Sequence, residues 1–416
     1  MKIKCLSLII LCLSFATSSN AQKIATLEAE LTKPAQGLDV PVSIELDGIT
    51  LLAGKDLSLA EVRGDERIQI PFQIRDGEKR TLYWLIKNEN SRDGRRVYEL
   101  SKGEGVKNPN LIQAKSEDGI LTIHSGDKNF LSYYYKTLMP PEGIDPAYKR
   151  SGFIHPLYTP HGQMLTRIQA PDHYHHYGIW NPWTQVSFEG ETVDFWNLAS
   201  KQGTVRFANF TSITEGPVFC EYQALQQHVV FKKDGTEKTA LNELQSVRIF
   251  QTGNQDYYIA DITSELNCAT ESPFLILEYR YAGLGWRATE KWDKNNSEIL
   301  TSEGKTRKDA DGSLARWCIV QGQLDDDYGG AVMMSYPANY NHPEPLRVWP
   351  ENMMNDRGDV YANFCPTKNM NWQLDPGQRY VLKYRFVVFN GHFTKEKAES
   401  AWQYYAASLK ITVKMN

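Results

Sequence analysis

The stretch Val218-Phe-Cys-Glu-Tyr-Gln-Ala-Leu-Gln-Gln-His-Val-Val-Phe231 decides the fold class of this chain of 416 residues. Its β-branched and aromatic residues predict one long strand. Comparable stretches lie on both sides of it, separated by polar turns. They are residues 42–46, 68–72, 82–86, 119–123, 131–136, 244–252, 257–263, 274–281 and 380–390. Because helices do not separate these strands, we expect antiparallel sheets and an all-β fold class.

One helix is predicted near the C-terminus, over residues 395–409. Ala398, Trp402 and Tyr405 fall on one of its faces at helical spacing, which is typical of a helix that packs on a sheet. We expect this helix to close one side of the β-structure.

The N-terminal residues have the three regions of a signal peptide. Residues 1–4 include two lysines, residues 5–16 are mostly apolar, and small or polar residues lead to Ala21. We therefore predict a signal peptide over residues 1–21 and export to the periplasm, with secretion as the alternative. The apolar run is shorter than the ~20 residues of a membrane span, so no membrane anchor is predicted.

The chain length predicts two domains. About 395 residues remain after the predicted cleavage, which exceeds the roughly 250 to 300 residues that one hydrophobic core usually serves. Residues 22–108 are predicted to form a small N-terminal β-sandwich. Residues 109–416 are predicted to form a large antiparallel supersandwich that carries the chemistry, and residues 103–109 are the predicted linker.

Cysteine spacing and charge exclude several classes of protein. The four cysteines beyond the predicted leader are too widely spaced for a zinc site or a dense disulfide framework, which favours buried free thiols, with one disulfide as the alternative. They are Cys220, Cys268, Cys318 and Cys365. The formal charge of −4 and the lack of a long basic run argue against a nucleic-acid partner.

Histidines mark the stretch that is expected to carry the chemistry. Five of the nine histidines lie within residues 155–176. Histidine titrates near neutral pH, so several together indicate proton transfer, metal ligation or anion binding. On a regular strand, His173 and His175 point to one face while Tyr174 and His176 point to the other, so only one of these pairs is expected to line a single pocket.

The histidines leave the question of a cofactor open. A divalent metal ion would suit His173 and His175 together with a carboxylate such as Asp172 or Asp194. This spacing is weaker evidence than a helical His-Glu-x-x-His motif. We therefore assign no metal ligands and leave the cofactor undetermined.

Arginines and tryptophans near this stretch are the predicted substrate-binding residues. A guanidinium binds a carboxylate through two parallel hydrogen bonds, and an indole can stack on a sugar ring. The residues predicted on these grounds are Arg150, Arg167, His155, Trp180, Trp183, Trp286 and Arg287. The alternative is a surface ion pair for each arginine, core packing for each tryptophan, and a structural role in a turn for His155.

Part of the sequence resembles a known group of proteins. The residues that carry the resemblance are His155-Pro156, Gly162, Asp172-His173, His175-His176, Gly178, residues 283–287 and residues 374–377. They resemble exported proteins that are labelled automatically as methane oxygenase PmoA-like, over about residues 116–391. A membrane monooxygenase subunit needs membrane-spanning helices that this sequence lacks, so the label does not describe an activity here.

The resemblance implies a fold and an activity. The implied fold is a large antiparallel sandwich similar to those of aldose mutarotases and several polysaccharide lyases. The implied activity belongs to carbohydrate utilisation, and the nearest one is that of an oligosaccharide dehydratase of ulvan breakdown. Such an enzyme removes water across C4 and C5 of a terminal uronic acid and leaves an unsaturated end.

This chemistry needs a base, an acid and a group that neutralises the substrate carboxylate. The predicted base is His175 or His176, the predicted acid is Tyr177 or Tyr174, and His173 completes the predicted catalytic set. The carboxylate is expected to bind Arg150 or Arg167.

Three other functions remain as alternatives, each with an oligosaccharide or a sugar as its partner. A mutarotase or epimerase needs a histidine acid and a carboxylate base. A glycosidase needs two carboxylates across a cleft, and Glu278, Glu344 and Glu351 are among those present. A binding protein without catalysis would rely on the aromatic residues.

Overall fold

The computed structural model describes residues 22–31, 35–87, 94–106, 111–407 and 409–416. The predicted signal peptide and residues 107–109 of the predicted linker lie outside these ranges. Within them, no helix has the length and apolar character needed to cross a membrane.

Strands dominate the described chain. Those of the N-terminal part are β1 (Lys23–Leu31), β2 (Val40–Glu45), β3 (Leu57–Arg63), β4 (Glu66–Gln69), β5 (Phe72–Arg75), β6 (Thr81–Ile86) and β7 (Gly94–Lys102). Those of the next part are β8 (Gln113–Glu117), β9 (Ile120–Ser125), β10 (Lys128–Tyr134), β11 (Phe153–Leu157), β12 (Ile168–Ala170), β13 (His173–Tyr177), β14 (Ile179–Trp180), β15 (Val186–Phe188) and β16 (Glu191–Val193).

The remaining elements include the longest strands and one α-helix. They are β17 (Gly203–Thr214), β18 (Phe219–Phe231), β19 (Glu237–Phe250), β20 (Tyr257–Cys268), β21 (Phe274–Ile276), β22 (Gly285–Arg287), β23 (Ser297–Thr301), β24 (Leu314–Ala315), β25 (Trp317–Leu324), β26 (Asp327–Ser335), β27 (Glu344–Val348), β28 (Tyr361–Phe364), β29 (Trp372–Leu374), β30 (Tyr380–Asn390), α1 (Lys395–Ala406) and β31 (Ile411–Met415). Short 3-10 helices lie at Gly54–Asp56, Pro146–Tyr148 and Leu198–Ser200.

The N-terminal part is a small β-sandwich. One sheet has the strand order β31-β1-β7-β3-β4, and the other has the order β2-β6-β5. Side chains of both sheets, such as Leu27, Leu59 and Trp84, share one buried cluster. The last strand of the chain pairs with β1, with Ala25 opposite Met415, so the C-terminal segment is part of the N-terminal sheet.

Two large sheets form the supersandwich. A nine-stranded sheet has the order β24-β27-β28-β22-β14-β11-β10-β9-β8, and an eight-stranded sheet has the order β17-β18-β19-β20-β30-β26-β25-β23. Leu131 and Trp286 from the first sheet pack in one buried cluster with Val247 and Phe386 from the second. All strand pairings recorded for the described residues are antiparallel. The predicted all-β fold class with a C-terminal helix is confirmed.

Most predicted strands are confirmed, and the errors have local causes. The prediction for residues 380–390 coincides with β30. The single strand predicted at 68–72 is wrong, because Pro71 lies between β4 and β5, which belong to different sheets. Proline has no N–H for the ladder, so it interrupts the pairing. The strand predicted at 274–281 ends at Ile276, because β21 pairs with two strands of only three residues.

Helix α1 is confirmed and is shorter than the predicted 395–409. It begins after Thr394, whose side chain accepts a hydrogen bond from the Lys397 N–H. Trp402 donates its indole N–H to the carbonyl of Ser335 in β26, which attaches the helix to the eight-stranded sheet. The four cysteines at 220, 268, 318 and 365 are buried free thiols, as predicted.

Glu344 begins β27, the strand that leads to the site described below. Its side chain is fully buried and accepts hydrogen bonds from Ser335, Asn339 and Tyr384. Burial raises the pKa of Glu344 to about 7, although these three hydrogen bonds act in the opposite direction. A buried position does not fit the glycosidase carboxylate for which Glu344 was a candidate.

We expect the free energy of unfolding to fall as pH rises through the range set by Glu344. Its pKa is about 7 in the folded chain, whereas an ordinary glutamate has a pKa of 4.5, so between these values only the folded chain keeps the proton. Glu344→Gln should remove this contribution, which is about 3 kcal/mol above pH 7. Urea unfolding of both proteins at several pH values between these limits measures it, and parallel pH dependences would contradict the buried carboxyl.

Candidate active site

The hairpin of β12 and β13 forms the centre of the candidate site. Ala170 pairs with His173, so Pro171 and Asp172 make a two-residue turn between the strands. Proline fixes one backbone angle of such a turn. The turn therefore places the Asp172 carboxylate beside the first histidine of β13.

Gly178 lets this hairpin lie close to the nine-stranded sheet. Its φ is +59°, and a Cβ at this position would overlap the carbonyl oxygen of Ile154 in β11. On the other side, the Arg287 N–H donates to the Gly178 carbonyl at 2.8 Å, and the Arg167 N–H donates to the Arg287 carbonyl at 3.0 Å. Backbone contacts thus fix the hairpin between β11 and β22.

The three histidines of β13 come together, and we call them the histidine cluster: His173, His175 and His176. Each offers one ring nitrogen, and these atoms lie within 4.8 Å of one another. The expectation that His175 and His176 point to opposite faces is wrong. Ile168 pairs with Tyr177 and Ala170 pairs with His173, so two steps along β12 face four steps along β13. This irregularity in β13 breaks the regular alternation of its side chains.

Charged groups hold the histidine cluster from one side. Asp172 Oδ2 lies 3.0 Å from His173 Nδ1 and accepts a hydrogen bond from Arg287 Nη2 at 2.8 Å. Arg287 also binds Asp359, and only 1% of its side chain is exposed. Its guanidinium thus joins the turn of the hairpin to the segment before β28.

Asp359 also forms ion pairs with two further arginines. Arg167 Nη1 donates to it at 3.2 Å, and Arg357 binds its other carboxylate oxygen. The side chains of Arg167 and Arg357 are 21% and 42% exposed. The charged network therefore runs from buried Arg287 to two arginines that solvent can reach.

Trp349 covers the cluster from the protein interior. Its ring lies 5.0 Å from that of His173 and 5.5 Å from that of His176, and the guanidinium of Arg287 lies 4.5 Å above it. Its indole N–H donates to the Tyr281 hydroxyl at 2.9 Å. The cluster is thus closed on one side, while His173 and His175 remain partly exposed on the other.

Burial controls the charge of these side chains. It lowers the pKa of His175 to about 3 and that of His176 well below its ordinary value, and nearby charges add to the effect. Burial raises the pKa of Asp172, but hydrogen bonds from His173 and Arg287 and the charge of Arg287 outweigh it and lower the pKa overall. At neutral pH the site thus contains an ionised Asp172 and neutral His175 and His176, which are weak bases with free lone pairs.

Neutral imidazoles that converge in this way could hold a transition-metal ion such as Zn²⁺. The carboxylate closest to the cluster is Asp172, which binds His173 and Arg287. Asp194, the other carboxylate considered from the sequence, accepts hydrogen bonds from the Trp196 N–H and the Asn197 side chain and lies outside the cluster.

The two tyrosines predicted as acids have different positions. Tyr177 is fully buried, and its hydroxyl donates to the Tyr148 carbonyl and accepts from Gln169 at 3.0 Å. Burial raises its pKa to about 12. The predicted role of Tyr177 is therefore not supported. The ring of Tyr174 is partly exposed and contacts that of Tyr148, which also lies 6.5 Å from His175.

The arginines predicted to bind the carboxylate also differ. Arg150 is buried, and its guanidinium nitrogens have no hydrogen-bond partner among the described residues. Burial lowers its pKa to about 10, with the charges of Glu243, Tyr133 and Tyr177 acting against this. An interior position contradicts a role for Arg150 in binding substrate, which leaves Arg167 as the accessible member of the pair.

The tryptophans predicted to stack on a sugar are core residues. Trp180, Trp183 and Trp286 are all fully buried. Trp286 donates its indole N–H to the Leu165 carbonyl at 2.9 Å, and Trp180 lies 5.0 Å from His176 on the interior side. The substrate-stacking prediction is therefore wrong for all three, because none has an open face.

His155 lies on β11, beside the cluster and outside it. Its Nδ1 is 2.9 Å from the Thr166 hydroxyl, and its ring is 6.4 Å from that of Tyr134. Burial lowers its pKa to about 4. His155 was predicted to bind substrate, with a structural role in a turn as the alternative, and the structure places it on a strand with a hydrogen bond to Thr166.

Three residues of the site were not predicted from the sequence: Trp349, Asp359 and Arg357. They reach the cluster because β28 pairs with β22, with Tyr361 opposite Arg287. That pairing joins segments far apart in the chain, and the sequence contains no local signal for it.

Comparison with known proteins identifies a family. Residues 121–403 match the model of a family described as a family of unknown function, DUF6807. This range includes the histidine cluster, Arg287 and Asp359. No curated protein matches the chain.

Solved structures resemble the chain weakly. A glycosyl hydrolase family 38 protein from Enterococcus faecalis is 10% identical with a TM-score of 0.41, over 95% of this chain and 48% of that one. A heparan sulfate lyase from Pedobacter heparinus is 9% identical with a TM-score of 0.32, over 70% and 38%. A protein assigned as an aldose 1-epimerase from Klebsiella pneumoniae is 12% identical with a TM-score of 0.32, over 91% and 94%.

The chain spans about half or less of the length of the first two of these proteins. Likenesses with TM-scores below 0.5 do not transfer an activity to this chain. A functional assignment therefore depends on the geometry of the site in this chain.

We expect Arg287→Gln to destabilise the protein strongly, because Asp172 and Asp359 would lose their shared buried cation. Breaking a buried ion pair costs about 3–5 kcal/mol. The control is Arg206→Gln, which removes a pair with Glu237 whose side chains are 38% and 47% exposed and which should cost at most about 1 kcal/mol. Urea unfolding measures both losses, and equal small losses would contradict the role given to Arg287.

Proposed function

The chain belongs to DUF6807, a family of unknown function, and we propose that it is a carbohydrate-active hydro-lyase that removes water from the terminal uronic acid of an oligosaccharide. The observation that carries the proposal is the histidine cluster next to a charged network that ends in two partly exposed arginines. The proposed substrates are ulvan-type oligosaccharides and the proposed location is the periplasm, in line with the sequence resemblance and the predicted signal peptide.

The proposed reaction is an elimination. The C5–H bond breaks, its electron pair forms the C4=C5 double bond, and the C4–O bond breaks. The hydroxyl takes up a proton and leaves as water, so the product is an unsaturated uronic acid. The proton at C5 becomes acidic only when the negative charge that develops on the neighbouring carboxylate is stabilised, so the enzyme needs cations there.

Arg167 and Arg357 are suited to bind the uronate carboxylate. Both bind Asp359 through Nη1 and remain partly exposed, and Nη2 of Arg357 also donates to the Glu290 carbonyl. Arg167 also lies 3.7 Å from Glu290, whose side chain is 69% exposed. An exposed ion pair of this kind contributes little, so a substrate carboxylate can replace Glu290 at low cost.

The proton transfers are assigned to the histidine cluster and to Tyr174. His175 is partly exposed, whereas His176 is enclosed, so His175 is the member that a substrate can reach. Tyr174 contacts Tyr148, which borders His175, and its position fits an acid that protonates the departing hydroxyl.

A mutarotase or epimerase is the second candidate. The contact between Asp172 and His173 favours it, because a histidine held by a carboxylate is a common acid–base pair. Such an enzyme leaves the mass of its substrate unchanged. Mass spectrometry therefore separates the two candidates directly.

Dehydratase activity is tested by incubating the mature protein with saturated oligosaccharides that end in a uronic acid. We expect ultraviolet absorbance from the new double bond to rise and the product to lose the mass of one water. A changed sugar configuration at constant mass would replace the proposal with an epimerase. No change of either kind would contradict both enzymatic candidates.

Two variants test the site. His175→Ala should lower kcat by about 10²–10⁴-fold, the contribution of a positioned proton-transfer group. Arg167→Gln should raise KM by roughly 10–100-fold, because a hydrogen bond to a charged group is worth about 1.5–3 kcal/mol. The control is His161→Ala, since His161 contacts Asp327 on another part of the surface. Equal activity of wild type, His175→Ala and His161→Ala would contradict the assignment.

A further inference from the structure

The histidine cluster has the arrangement of a metal centre. We propose that His173, His175 and His176 bind one divalent transition-metal ion of the zinc class, with a coordination position left for a substrate oxygen. Their ring nitrogens lie within 4.8 Å of one another. Tetrahedral ligands at ~2.0–2.1 Å from an ion lie roughly 3.4 Å apart, so small rotations of the rings would complete the site.

The contact between Asp172 and His173 supports ligation. A histidine that binds a metal ion usually donates its other ring N–H to a carboxylate, which fixes the tautomer and orients the ring. Asp172 Oδ2 lies 3.0 Å from His173 Nδ1, so Nε2 is left with the free lone pair. Buried Arg287 holds that carboxylate in turn, which gives the contact a rigid support.

His176 supplies an independent observation. Its Nδ1 is buried and has no hydrogen-bond partner among the described residues. A buried polar nitrogen without a partner costs about 1–3 kcal/mol. The ring of His176 lies among those of Trp180, Trp349 and Tyr361, and a metal ion bound at the cluster would give the histidine a partner there.

The three imidazole ligands determine which class of metal ion the cluster would bind. Imidazole nitrogens suit zinc and its neighbours in the transition series, whereas magnesium and calcium prefer oxygen ligands. The carboxylate closest to the cluster, Asp172, binds His173 and Arg287. The site is therefore expected to prefer Zn²⁺ and Co²⁺ to Mg²⁺ and Ca²⁺.

The role of the ion rests on the proposed function, whereas its binding does not. A histidine that ligates an ion cannot also accept a proton, so an ion at the cluster would replace the proton-transfer role given above to His175. The bound ion would instead stabilise charge on the uronate carboxylate. Tyr174 would then serve both steps. Its hydroxyl donates a proton to the C4 hydroxyl as the C4–O bond breaks and accepts the C5 proton in return, so the tyrosine ends the step in its starting form.

Metal binding is measured on the mature full chain without a polyhistidine tag. The protein is treated with a chelator, dialysed and titrated with Zn²⁺ or Co²⁺. The readouts are the bound metal per chain by mass spectrometry and the visible spectrum of the Co²⁺ form. We expect one ion per chain, with Mg²⁺ and Ca²⁺ unable to displace it.

Matched variants locate the ion. His175→Ala should abolish stoichiometric binding, and Asp172→Asn should weaken it about 10–100-fold, as expected for a residue that orients a ligand. His161→Ala should bind like wild type, because its contact with Asp327 repeats the histidine–carboxylate pair outside the cluster. Thermal unfolding of each metal-free variant confirms that it is folded.

Two results would overturn the proposal: no retained ion in the wild type, or equal retention by His175→Ala. The proposed function fails separately. If the chain binds the ion at the cluster but does not dehydrate uronic acids, the metal site is supported and the proposed function is contradicted. If the chain dehydrates them equally well without any ion, the proposed function is supported and the role given to the ion is contradicted. The binding measurements alone decide whether the metal site exists.

Discussion

The buried guanidinium of Arg287 is the interaction on which the rest of the site depends. It binds Asp172 in the turn of the β12–β13 hairpin and Asp359 before β28, and its backbone pairs with the same hairpin. Without this cation, Asp172 would keep only its contact with His173, and Asp359 only the partly exposed Arg167 and Arg357. Removing a buried partner from such carboxylates is costly. The positions of His173 and of the arginines around Asp359 therefore follow from one residue of β22.

The long strands and the helix could be predicted because each has a signal within its own sequence. Strand β30 has the predicted bounds, and helix α1 has the predicted face. The short strands could not be predicted, since their length is set by their partners. Pro71 divides a predicted strand, and β21 stops where its three-residue partners stop.

The sequence predicted which segment forms the candidate site, but not how the side chains of that segment are arranged. The crowding of histidines pointed to the segment of β13, where the structure brings three of them together. The convergence of His175 with His176 depends on a register shift in the hairpin that the sequence does not reveal. The burial of individual side chains also could not be predicted from the sequence. The sequence cannot distinguish a buried Trp286 or Arg150 from an exposed one, and both lie in the interior.

These positions change how a sugar would be recognised under the proposed function. With Trp180, Trp183 and Trp286 in the core, stacking by these indoles cannot hold the substrate. Recognition would instead depend on charge, through Arg167 and Arg357 at the edge of the network. This favours an anionic sugar over a neutral one, because bidentate hydrogen bonds from arginine match a carboxylate.

The three histidines of β13 face one point, and Asp172 orients one of them. Anomalous diffraction from crystals of the full chain grown with Zn²⁺ tests this most directly. We expect one strong anomalous peak at about 2.0–2.1 Å from a ring nitrogen of each of His173, His175 and His176. The contact between Asp172 and His173 should be retained. A map with no peak there, or with the three rings turned away from one another, would contradict it.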